Sequence, residues 1–140
     1  MPSGFRELEG ITADAGIEAW GDSLEEAFKG AAEGLASLLA DLPESSLKKA
    51  VPVSVRGENL SSLLVLFLNE LIFLEDTGSV IPGKIKKLWI NENMLFAVAL
   101  CAKSDTVDPS ERSHVKAATY HGLEIDQSAD QVRIKVIFDV

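Results

Sequence analysis

Two stretches, Ile17–Leu39 "IEAWGDSLEEAFKGAAEGLASLL" and Val53–Glu75 "VSVRGENLSSLLVLFLNELIFLE", carry the reading of the fold. Laid side by side they pair Gly21 with Gly57, Asp22 with Glu58, Ser23 with Asn59 and Leu24 with Leu60. Each runs from a strand-like pattern through glycine and a capping residue into a helix. Ser23 and Asn59 can accept from the orphan N–H groups of a first helical turn. Glu26, three residues after Ser23, makes a capping box there. The repetition fits either an internal duplication or the shared grammar of strand–helix units.

In the first helix Leu24, Ala27, Phe28, Ala31, Leu35 and Leu38 follow helical spacing, with Glu25, Glu26, Lys29 and Glu33 facing away. The second helix is apolar on nearly every side from Leu63 to Leu74, as expected of a helix buried between a sheet and something else. Its neighbourhood "LSSLLVLFLNELIFLEDTG" is interrupted by Asn69, Glu70 and Glu75 and falls short of a membrane span. Beyond it the pattern turns to β. Ile85–Ile90 and Met94–Ala102 form a hairpin about Asn91-Glu92-Asn93, and "HVKAATYHGLEI" with "QVRIKVIFDV" forms another about "DQSADQ". Helices early and strands late point to α+β: a compact single domain over residues 1–140, with a mixed sheet packed on two main helices.

Charge and cysteine content narrow the function. The net charge of −9 lacks a general basic footprint for nucleic acid, so an RNA-related role requires a partner protein or a very local patch. The single Cys101 sits in the apolar run "LFAVALCA" and reads as a packing residue, and the composition suits a reducing cytoplasm. The start "MPSGFRELEG" shows no signal-peptide pattern. A serine nucleophile elbow, a P-loop, a Cys/His cluster and a dinucleotide fingerprint are all missing, which leaves little from which to build an independent enzyme.

Each chain end carries a lone aspartate in a strand-like run. In "GITADAGIEAW" alternation sets Ile11, Ala13, Ala15, Ile17 and Ala19 on one face and Thr12, Asp14, Gly16, Glu18 and Trp20 on the other. In the final run Val132, Ile134, Val136, Phe138 and Val140 alternate with Arg133, Lys135, Ile137 and Asp139. If the terminal strands pair, Asp14 and Asp139 share one rim beside Val140. Two carboxylates repel unless a cation lies between them, and hard divalent ions favour such oxygens. Spacing alone favours solvated aspartates, or ones paired with Arg133 or Lys135, because two isolated aspartates match no metal motif. In "VKAATYHG" alternation groups Val115, Ala117, Thr119, His121 and Leu123 against Lys116, Ala118, Tyr120 and Glu124. Lysine, tyrosine and histidine so close together suit proton transfer or anion binding, or no more than a solvated face.

"TADAGI" (12–17), "LNEL" (68–71) with "DT" (76–77), "VKAATYHGLE" (115–124) and the ending "VIFDV" (136–140) together resemble the archease family, in the family's order and over nearly the whole chain. The resemblance implies a protein cofactor of an RtcB-type RNA ligase in tRNA splicing and RNA repair. Such a cofactor promotes guanylylation of the ligase, sustains multiple turnover and broadens nucleotide use without being an enzyme itself. It further implies a divalent metal at Asp14, Asp139 and Val140, Ca²⁺ first with Mg²⁺ or Mn²⁺ as other candidates, and an activating role for Lys116. RNA would be met only indirectly, and neither DNA nor a membrane is implied as a partner. Three positions depart from the family pattern: Ile11 where histidine is common, and Leu66 and Phe67 where Asp and Trp are common. The loop "DTVDPSERSH" also looks shorter than usual. The competing readings are an autonomous metal-dependent phosphoester hydrolase and a general chaperone or interaction module docking through the second helix.

Overall fold

The protein is described by a computed structural model, which covers residues 3–9 and 14–140. The strand–helix device at the start of each half has a visible physical basis. Strand β2 (Asp14–Gly21) leads into helix α1 (Leu24–Leu39), and strand β3 (Lys49–Arg56) leads into helix α2 (Leu60–Thr77). A Cβ at Gly21 would come 2.6 Å from Ala27 N, and one at Gly57 2.7 Å from Leu63 N. In both units the first helical turn therefore folds back onto the residue that ends the strand, and only glycine fits. Ser23 Oγ accepts from Glu26 N at 3.1 Å. The reciprocal capping box forms in α2, where Asn59 Oδ1 accepts from Ser62 N at 2.8 Å and Asn59 N donates to Ser62 Oγ at 3.0 Å.

Strands β1 (Gly4–Glu7), β4 (Val80–Asn91), β5 (Met94–Lys103), β6 (Ala117–Asp126) and β7 (Val132–Asp139) complete the fold. The α+β class and the two main helices are as expected. The strands divide, however, into two sheets, of order β1-β2-β7-β6 and β3-β5-β4, in which every pairing is antiparallel. The physical reason is β5. It inserts between β3 and β4, so the β3–α2–β4 crossover becomes two parallel strands held apart by an antiparallel third. Pro52 and Pro82 lie on the two edge strands of that sheet, where a missing N–H is tolerated and further pairing is discouraged.

Each helix touches strands of both sheets, α1 chiefly β2 and β4, α2 chiefly β6 and β3. The helices thus form the shared inner layer. This accounts for the apolar circumference of α2: Leu63, Leu64, Phe67, Leu68 and Leu71 are all buried. Ile17 and Ala19 of β2 and Ile134, Val136 and Phe138 of β7 cover α1 from the other side, on the face that alternation assigns them. Phe67, one of the departures from the family pattern, is fully buried, whereas Leu66 beside it is 44% exposed. Most of the apolar surface of α2 is therefore core, and Leu66 and Phe73, at 44% and 56% exposure, are the large apolar residues it leaves at the surface.

Two polar contacts tie α2 to the later strands. Asn69 Oδ1 accepts from Ala118 N at 2.8 Å, and Asn69 Nδ2 reaches Ala118 O at 3.5 Å, so the side chain acts as a one-residue strand partner for β6. Arg112 in the polar loop donates to Glu75 Oε2 at 2.8 Å, where Glu75 is 9% exposed. Cys101 is fully buried, and burial pushes its thiol from 9.0 up to about 11.

Replacing Asn69 by Ala strands the buried Ala118 N–H. It should lower the unfolding free energy by about 1–2 kcal/mol, read from urea titrations at unchanged m-value. The Cys101 thiol is neutral in both folded and unfolded chains below about pH 8. Between pH 9 and 11 the unfolded chain releases a proton that the folded chain keeps, so stability falls as pH rises. Between pH 8 and pH 10 the native protein should lose about 1 kcal/mol more than Cys101→Ala in paired urea titrations.

Candidate functional site at the joined chain ends

The four-stranded sheet brings the two ends of the chain together. β2 and β7 pair antiparallel with Asp14 directly opposite Asp139, followed by Gly16 opposite Ile137 and Glu18 opposite Lys135. Cross-strand partners share a face, so both carboxylates stand on the sheet's outer side, opposite the face that covers α1. The register follows from burial: with Ile17 against Val136 and Ala15 against Phe138 facing inward, the aspartates must face out. Val140 follows Asp139 directly and is 47% exposed. Residues 10–13, including Ile11 and Thr12, lie outside the described residues.

β6 extends the same rim on the far side of β7. Ala117 lies opposite Asp139 and Thr119 opposite Ile137, and the Thr119 hydroxyl donates to Ile137 O at 2.9 Å. The Lys116 N–H donates to Asp139 O at 2.8 Å, which fixes its backbone beside the aspartate pair, and its side chain is exposed. Alternation in "VKAATYHG" holds only in part. Ala118 turns to the core, at 5% exposure, while Ala117 and Thr119 lie on the opposite face, as the grouping read from the sequence has it up to Thr119. After Thr119 the register breaks and resumes at Glu124, with Gly122 at φ +65° inside the irregularity. The bulge re-aims the chain so that His121 and Gly122, with Leu8, Glu9, Asp14, Lys135 and Ile137, line a cleft of about 410 Å³. His121 is therefore a cleft residue and not a core residue, which the residue pattern could not show because a bulge leaves no fixed trace in polarity.

Charges along the rim are already apportioned. Glu18 is held by Arg6 at 3.0 Å and by Arg133 at 3.7 Å, and Lys135 reaches Glu124 at 3.7 Å. The alternative of aspartates neutralised by Arg133 or Lys135 is thus not the arrangement adopted; those cations turn to glutamates further along the sheet. The aspartate pair offers oxygen donors only, a set suited to a hard divalent cation. Among the described residues a different trio, Glu75, Asp76 and His114, has ligand atoms within 4.8 Å of one another. There Glu75 is engaged by Arg112, and His114 Nδ1 stands 4.0 Å from Asp76 Oδ1. No helix among the described residues is long and apolar enough to cross a membrane, which says nothing of strands.

Comparison with known proteins gives the relationship. Residues 5–140 match the model of the archease protein family (MTH1598/TM1083). The chain is 34% identical over 122 residues to protein archease of Pyrococcus furiosus, covering 85% of this chain and 86% of that one. It is 32% identical over 134 residues to protein archease of Aeropyrum pernix, covering 92% of each. Its fold is similar to the solution structure of Methanobacterium thermoautotrophicum protein 1598, with a TM-score of 0.79, 30% identity, and coverage of 98% of this chain and 99% of that one. A family match over nearly the whole length, relatives above 30% identity and a shared fold place this chain in the archease family.

Proposed function

We propose that this protein is the activator of an RtcB-type RNA ligase and works through the acidic tip where its chain ends meet. The observation that carries the reading is the direct opposition of Asp14 and Asp139 in the β2–β7 register, on an open face beside a cleft, in a chain of the archease family. Two carboxylates held a strand spacing apart repel, and a cation between them relieves the repulsion.

Asp14, Asp139 and an oxygen of Val140 would hold a divalent ion, Ca²⁺ ahead of Mg²⁺ or Mn²⁺. When bound, the ion supplies charge neutralisation for phosphate oxygens. The chain's own contributions are positional. β2–β7 pairing presents both carboxylates to the ligase from a rigid sheet, and the Lys116 N–H bond to Asp139 orders that tip. The Lys116 ammonium, exposed at the same rim, is placed to meet a phosphate oxygen or an acidic group of the ligase. An acidic protein of net charge −9 also meets a basic, RNA-binding enzyme at an enhanced rate. In this role the protein promotes ligase guanylylation and repeated turnover in tRNA splicing and repair in the cytoplasm, and carries out no ligation itself.

The test is guanylylation and multiple-turnover ligation by the cognate ligase, with and without this protein. Stimulation at substoichiometric amounts is expected, with loss of about 10-fold or more of it in Asp14→Ala and in Asp139→Ala at unchanged circular dichroism. Full stimulation by Asp14→Ala would refute the site. Phosphoester cleavage by the protein alone would identify a hydrolase, and suppression of aggregation of unrelated clients would identify a chaperone. Calorimetric titration with Ca²⁺ should show binding weakened at least about 10-fold in Asp14→Asn, judged against the cost of disturbing metal-site ligation generally.

A further inference from the structure

The second sheet carries a charge pattern opposite to that of the whole protein. β3, β4 and β5 hold six of the 13 basic residues, Lys49, Arg56, Lys84, Lys86, Lys87 and Lys103, and none of the 22 acidic ones. All six are exposed. Glu92, in the β4–β5 turn, is the only acid between residues 80 and 103. Lys84 is engaged by Glu44 at 2.5 Å, so its charge is offset. Arg56, Lys86 and Lys87 remain as the cationic set of the central part of the sheet.

On the outer face the pairing aligns rows across the strands: Arg56–Met94–Asn91, then Ser54–Phe96–Trp89, then Pro52–Val98–Lys87. Trp89 and Phe96 are direct cross-strand partners, 52% and 44% exposed, with Lys87 Nζ 5.9 Å from the indole centroid. They border an open groove of about 350 Å³ floored by Val98 and Pro52. Large exposed aromatics on an outer sheet face are costly unless something covers them. Face-to-face packing of two copies would oppose one cationic set to another, so a second copy is disfavoured. Two adjacent rings on an antiparallel sheet, rimmed by cations, match the way sheet platforms stack unpaired bases and neutralise the linking phosphates.

We infer that the outer face of the β3-β5-β4 sheet binds single-stranded nucleic acid, with Trp89 and Phe96 stacking bases and Arg56, Lys86 and Lys87 contacting phosphates. This is the local patch that the net charge of −9 leaves room for, and it adds a direct RNA contact to the indirect one. Repulsion from the rest of the molecule does not cancel it. The charges of the four-stranded sheet stand on the far side of the helix layer, and solvent-exposed charges that far apart are screened by the salt around the molecule. The site does not depend on the ligase reading, and its failure would leave the aspartate tip untouched.

The test uses the full chain with Trp20→Phe, so that Trp89 is the sole indole, and a fluorescein-labelled 12-nucleotide single-stranded RNA. Anisotropy should rise saturably at 50 mM salt. The affinity should fall with salt at a log–log slope of about −2, as three phosphate contacts on a single strand require. Trp89 emission should be quenched in parallel. Trp89→Ala with Phe96→Ala should weaken binding about 10-fold or more, judged against the known worth of base–aromatic stacking. Arg56→Glu with Lys87→Glu should weaken binding and flatten the salt slope, and every variant can be checked for folding by circular dichroism. Single-stranded DNA of the same length should bind comparably, because stacking is indifferent to the sugar, and duplex RNA should bind more weakly. Absence of binding at 100-fold excess of protein over RNA, binding without Trp89 quenching, or equal affinity for an oligoglutamate peptide of the same charge would each overturn the assignment. The last outcome would identify an acidic protein segment as the occupant.

Discussion

The pairing of β2 with β7 is the constraint on which the rest of this molecule depends. It joins the two ends of the chain, and a one-residue slip would turn either Ile17 and Ala19 of β2 or Ile134, Val136 and Phe138 of β7 out of the core. Because so much apolar surface holds the register, the position of Asp14 opposite Asp139 is set by residues that have nothing to do with the site. The two aspartates stand opposite each other at the rim because the hydrophobic face behind them holds the register.

The helical layer converts this local pairing into a single body. α1 fills the space between β2 and β4, and α2 the space between β6 and β3, so neither sheet has an inner face of its own. Asn69 links this layer to the site: by pairing with the backbone of Ala118 it anchors β6 two residues beyond Lys116. The motifs "LNEL" and "VKAATYHGLE" are far apart in sequence but meet at this bond. Their shared presence has a structural explanation that holds whatever the protein binds.

The outer faces of the two sheets differ in character. That of the four-stranded sheet carries the aspartate pair and a ladder in which Arg6 and Arg133 meet Glu18 and Lys135 meets Glu124. That of the three-stranded sheet is free of acids within its strands and displays two aromatic rings. The two faces meet solvent on opposite sides of the helix layer, so salt screens the exposed charges of one from those of the other. A single small domain can therefore present two different chemistries without one neutralising the other.

Local periodicity determined a good deal here. The core positions of α1, the burial of α2, both late hairpins and the outward placement of Asp14 and Asp139 follow from spacing of apolar residues, since that spacing is the physical cause of burial. Glu33 of α1, expected to face away, instead accepts from Ile85 N of β4 at 3.1 Å. Family membership was likewise legible in four short motifs spread along the chain. Only the tertiary structure decided the rest. Division into two antiparallel sheets depends on β5 inserting between β3 and β4, a choice among distant partners that no local window contains. The short β1 has too few residues to show a period. The bulge after Thr119, which delivers His121 to the cleft, sets more residues of β6 than of β7 between two points of pairing, a mismatch no single strand's polarity records. The segregation of cations onto one sheet is invisible in a net charge of −9, because composition sums over faces that the fold keeps apart.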